Sequence, residues 1–95
     1  MTRKHLNIHV FGVVQGVSFR AYTQDKAESF GLTGFVCNEP DDTVYIEAEG
    51  NEDDLAHFIR WCHKGPTLAQ VERVELTEGL LKNFQDFCIT WGRQA

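Results

Sequence analysis

The chain has no apolar run long enough to cross a bilayer, because its longest nearly apolar segment, Val10 to Val14, falls far short of the roughly 20 residues a spanning helix needs. The polar start Met1-Thr2-Arg3-Lys4-His5 has no apolar signal core behind it, so no membrane association and a cytoplasmic location are expected. Cysteine is scarce and odd in number. Cys37, Cys62 and Cys88 lack CxxC spacing, which points to free thiols rather than a disulfide framework or a zinc site. His5, His9, His57 and His63 show no HExxH pattern and read as surface or half-buried residues, so neither metal nor cofactor is expected. Clustered basic residues are also missing. The nine Lys and Arg are scattered, whereas eight of the fourteen acids (Glu39, Asp41, Asp42, Glu47, Glu49, Glu52, Asp53 and Asp54) share a stretch without any Lys or Arg. Such a surface repels polyanions, which excludes nucleic acid as a partner and leaves room only for a small, local anion site.

What is present describes an ordinary folded chain. With 95 residues, 42% hydrophobic and 24% charged, the sequence can build one core and no second one, so residues 1–95 are expected to form a single domain. Leu6, Ile8 and Val10 alternate with Asn7, His9 and Phe11, predicting a strand that ends at Gly12. Phe19, Tyr22, Ala27 and Phe30 recur at helical spacing, and Gly31 follows as a stop, predicting a helix from Phe19 to Phe30. Thr33 to Asn38 and Thr43 to Gly50 read as a hairpin turned by Glu39-Pro40-Asp41-Asp42. Asn51 is a candidate cap for a second helix with Leu55, Phe58, Ile59 and Cys62 on its buried stripe, stopped by Gly65-Pro66. Val71 to Thr77 and the alternation through Phe87, Ile89 and Trp91 supply the last two strands. The order βαββαβ plus an edge strand predicts an α+β, ferredoxin-like α/β sandwich: an antiparallel sheet with both helices on its one apolar face. Trp61 and Trp91 are expected in core or edge packing.

The chemistry concentrates between the first strand and the first helix. Gly12-Val13-Val14-Gln15-Gly16-Val17-Ser18-Phe19-Arg20 ends where unpaired helix N–H groups point outward, and Gly12 and Gly16 allow backbone angles that let consecutive amides curl around one anion. Arg20 adds a planar fork matched to phosphate oxygens. The residues by themselves are compatible with a small-anion site and do not establish one, since two glycines that merely turn the chain and an arginine paired with a surface acid would look alike. Asn38, at a strand end before a turn, equally suits a loop residue that bonds its own backbone.

The run Val10 to Arg20 resembles, throughout its length, the first signature of the acylphosphatase family, with Gly12, Val14, Gln15, Gly16, Val17 and Arg20 in place. Tyr22 and Thr23 are similar as well. A second signature begins at Gly34-Phe35-Val36-Cys37-Asn38 and extends to Val44 and Gly50, so the resemblance covers nearly the whole chain. It implies hydrolysis of a small-molecule acyl phosphate to carboxylate and inorganic phosphate by in-line attack of water, without metal or cofactor. The resemblance assigns the phosphate to Gln15, Gly16, Val17, Ser18, Phe19 and Arg20, and catalysis to Arg20 and Asn38, the latter orienting the water. A monomer is expected. Two positions depart from the family, which usually has Gly in place of Asp42 and a basic or amide residue in place of Cys37. Cys37 therefore removes a possible positive charge beside the site. A noncatalytic small-anion-binding or regulatory module of the same fold is the competing reading, against which Arg20 and Asn38 argue.

Overall fold

In the computed structural model, which describes residues 2–93, alternating burial along the first strand builds both faces of a five-stranded sheet. The order along the chain is β1 (Arg3–Val13), α1 (Phe19–Ser29), β2 (Thr33–Asn38), β3 (Val44–Asn51), α2 (Glu52–Lys64), β4 (Gln70–Gly79) and β5 (Phe87–Thr90). β1 is longer than the hydrophobic pattern alone indicates. Its polar beginning, Arg3 to His5, is held by pairing with Glu49 to Asn51 of β3, a cross-strand contribution that alternation within one strand does not reveal.

The sheet runs β4-β1-β3-β2-β5. The ferredoxin-like arrangement expected from the sequence is present, with one correction: β5 lies parallel to β2, so the sheet is mixed rather than wholly antiparallel. Ile8 and Val10 of β1, Val36 of β2, and Val44, Ile46 and Ala48 of β3 form one core with Phe19 and Ala27 of α1 and Leu55, Phe58 and Cys62 of α2. Within α1 the buried stripe is Phe19, Thr23 and Ala27, while Tyr22 is turned outward and Phe30 caps the helix end. Each buried Phe or Leu contributes about 1.5–3 kcal/mol. The exposed ion pairs Lys4–Glu52 and Arg73–Glu75 contribute about 0–1 kcal/mol apiece, so the sandwich is held by apolar burial. Asn51 caps α2 as expected, its side chain accepting a bond from the Asp53 amide at 3.0 Å.

Part of the other sheet face is also covered, over β3 and β2, and here the sequence reading needs revision. Glu47 and Glu49 are buried rather than part of an acidic surface, and His5 is buried beside them. His5 Nδ1 donates to Glu49 at 2.6 Å, and Tyr45 donates its hydroxyl proton to Glu47 at 2.7 Å. The segment between β4 and β5 closes over them: Lys82 and Phe84 donate their backbone amides to Glu49, and Lys82 Nζ lies 2.9 Å from Glu47. The Phe84 ring packs against Phe35, in a small cluster with Cys37 and Tyr45. Burial works to raise the Glu49 carboxyl, but the two amides and His5 outweigh it and hold the carboxyl below its ordinary range.

Two predictions follow from this backbone and this network. Asp42 sits at φ 71°, so Asp42→Gly relieves left-handed strain and raises unfolding free energy by on the order of 1 kcal/mol in urea titrations, with turnover unchanged. Glu49 gives up its proton more readily folded than unfolded. Its contribution is therefore complete above the ordinary value of 4.5 and declines as pH falls below it. Glu49→Gln should cost about 3 kcal/mol at neutral pH and flatten the acid limb of a stability curve measured between pH 7 and 3.

Candidate active site

The register between β1 and β4 shifts between Phe11 and Gly12, and this irregularity turns the chain out of the sheet. Gly12, at φ 133°, passes so close to β4 that a Cβ there would meet the Gln70 carbonyl oxygen at 2.1 Å. Any side chain would push the loop away. Gly16, at φ 74°, and Ser18, at φ 61°, are both left-handed, with Val17 between them. Alternation of this kind turns neighbouring N–H groups toward one side and forms a nest. Ser18 precedes α1 without capping it, and among the described residues none accepts a hydrogen bond from the amides of Gly16 to Arg20. These donors are available to an anion.

A cavity of about 470 Å³ opens at this point, and Gln15, Gly16, Ser18, Phe19, Arg20 and Asn38 all reach it. Val17 does not line it, since its side chain packs against the main core. Phe19 buries its ring against Trp61, leaving only its backbone to serve the site. Asn38 arrives from β2, where it pairs with Val44 at the turn end of the hairpin. Sequence positions 20 and 38 thus meet at one cavity.

Gln15 explains how the two halves stay together. Its side-chain amide donates to the backbone carbonyls of Glu39 and Thr43, each at 2.9 Å, tying the loop to the hairpin that carries Asn38. The hairpin is further braced by the Thr43 hydroxyl, which donates to Asp41 and stands 2.6 Å from His9 Nε2. The Thr43 bonds hold the Asp41 carboxyl below its usual range. Gln15 was expected to hold phosphate; its side chain is committed elsewhere, and only its backbone remains for that task.

Charge is arranged to leave the cavity positive. The first turn of α1 has no acid, whereas that of α2 carries Glu52, Asp53 and Asp54, which neutralise their own helix dipole. Among the described residues Arg20 has no carboxylate within ion-pair distance, and it is the one charged side chain lining the cavity. Glu39, the nearest acid in sequence to Asn38, is held by Arg93 at 2.6 Å. Cys37, expected to lie beside the site, is fully buried on the opposite sheet face, where burial raises its thiol. Trp91, expected in core or edge packing, is 93% exposed and lines the cavity with Ile89. Sequence reading missed both as site residues, because only the pairing of β5 with β2 brings them there.

The acylphosphatase family model matches residues 6–89. An acylphosphatase of a Nocardioides species is 45% identical over 85 residues, covering 90% of this chain and 86% of the relative. The crystal structure of acylphosphatase from Bacillus subtilis superposes with a TM-score of 0.91 at 35% identity, covering 93% of this chain and 99% of that one. An acylphosphatase from Coxiella burnetii gives 0.90 at 33% identity, covering 93% of each chain.

Since one side chain supplies both ties to the hairpin, Gln15→Ala should lower unfolding free energy by about 2 kcal/mol. It should also weaken binding of inorganic phosphate several-fold. Calorimetric titration alongside urea unfolding checks both, and unchanged phosphate affinity would mean that the tie does not set the loop.

Proposed function

Because the chain belongs to the acylphosphatase family, we propose that its hydrolysis of acyl phosphates runs through the Gln15 to Arg20 loop and Asn38. The observation that carries this reading is the shared cavity, in which Arg20 and Asn38 face a row of unpaired amides. The substrate is a small-molecule acyl phosphate. The amides and the Arg20 fork bind the phosphoryl oxygens and stabilise the charge they develop.

Asn38 orients water, its carboxamide offering a donor and an acceptor at fixed separation without adding charge. Water oxygen forms a bond to phosphorus while the bond from phosphorus to the carboxylate oxygen breaks, and the bonding pair leaves with the carboxylate. A carboxylate departs without being protonated at neutral pH. The lining contains no Asp, Glu, His or Lys, so no side chain there acts as a general base. None is needed at a loose phosphoryl transition state, where the nucleophile is little activated and its proton passes to a phosphoryl oxygen or to solvent.

Among the described residues no cluster of three or more His, Cys, Asp or Glu could hold a metal, and the reading assigns none to the reaction. No helix among them is long and apolar enough to cross a membrane. The same reading takes residues 1–95 as one domain, working as a monomer in the cytoplasm.

Phosphate release from acetyl phosphate, measured with excess chelator, tests the assignment. Wild type should keep its activity, and Arg20→Ala should lose at least about 10²- to 10³-fold in turnover while remaining folded. Asn38→Ala should lower kcat far more than it weakens inhibition by phosphate. Unchanged turnover in both variants would sink the proposal.

A further inference from the structure

Three arginines lie over aromatic rings. Arg73 sits 3.8 Å from the Phe11 centroid and also bonds Glu75, and Arg93 sits 3.8 Å from the Tyr45 centroid and also bonds Glu39. Arg20 differs: its guanidinium carbon lies 5.5 Å from the centroid of Trp91, and among the described residues no carboxylate accompanies the ring. The arginine in the anion cavity is therefore held by a face without a charge.

Trp91 has little else to do. It is 93% exposed, whereas Trp61 is half-buried between Phe19 and Phe58. So large an exposed indole adds almost nothing to the core. Its placement is nevertheless defined by the sheet: Thr90 pairs with Cys37 in the parallel β5–β2 ladder, so the chain leaves the strand with Trp91 next to Asn38. Trp91, Asn38 and Arg20 all line the same cavity.

We infer that Trp91 is a positioning residue for this reaction, orienting the Arg20 guanidinium toward the phosphoryl site without neutralising it. A free arginine side chain samples many rotamers, and ordering it on substrate binding would weaken binding. A carboxylate would order it too, but it would compete with phosphate for the N–H fork and cancel the charge. The ring quadrupole attracts the cation through its face and leaves the N–H edges available. The inference rests on the role proposed for Arg20.

The experiment compares wild type, Trp91→Ala, Trp91→Phe and Arg20→Ala on acetyl phosphate and benzoyl phosphate, with circular dichroism and urea unfolding as folding controls. Trp91→Ala should keep its stability and lose about fivefold in kcat/KM on both substrates alike, with inorganic phosphate inhibiting more weakly. Trp91→Phe should recover most of the loss, because an aromatic face remains. Unaltered kinetics in Trp91→Ala would overturn the inference, as would a loss confined to benzoyl phosphate, which would mean that the indole touches the acyl group instead. If Arg20→Ala is itself fully active, the proposed function falls with it; if only Trp91→Ala is fully active, the role of Arg20 stands and that of Trp91 does not.

Discussion

One carboxamide joins the two halves of this site. The anion loop joins β1 to α1 whereas Asn38 ends β2, and nothing in strand pairing alone sets the distance between a loop leaving β1 and the end of β2. Gln15 sets it by donating both amide protons to Glu39 and Thr43 carbonyls. A displacement of about 1 Å can cost on the order of 10²-fold in rate, so a tie made of two directional bonds is worth more to catalysis than the modest stability it adds. The left-handed backbone at Gly16 and Ser18 is useful only because the loop it shapes is anchored in this way.

The second constraint is electrostatic. An acidic chain, at net charge −5, keeps one positive cavity by spending its acids elsewhere. Three neutralise the start of α2, Glu39 is taken by Arg93, and Glu47 and Glu49 are enclosed beneath the segment between β4 and β5. The first turn of α1 is left without any. Its amides therefore present an uncancelled partial charge beside Arg20, which an exposed aromatic ring steadies but does not neutralise.

The enclosed acids also explain why part of the second sheet face is covered although the helices lie on the other. A buried carboxylate is tolerated when its oxygens are satisfied, and Glu49 receives His5 and two backbone amides. Those amides belong to Lys82 and Phe84, so satisfying the charge and closing the sheet are the same event. The aromatic contacts of Phe84 with Phe35 complete the closure.

The order of elements and the cap at Asn51 were legible in the sequence, because each depends on residues within a few positions of one another. The family resemblance reached further, to the roles proposed for Arg20 and Asn38, because their surroundings match along the chain. Glu47 and Glu49 were misread as surface because alternation reports which residues share a face, and says nothing of whether a distant segment will cover it. Cys37 was misplaced for a related reason: adjacency to Asn38 along a strand puts the two side chains on opposite faces. The hydrogen-bonding role of the Gln15 side chain, the parallel seat of β5 and the arrival of Trp91 beside Arg20 were decided only by tertiary structure. Each of these depends on partners 24 or more positions apart in sequence, and no local propensity encodes which distant backbone carbonyl, strand or ring a side chain will meet.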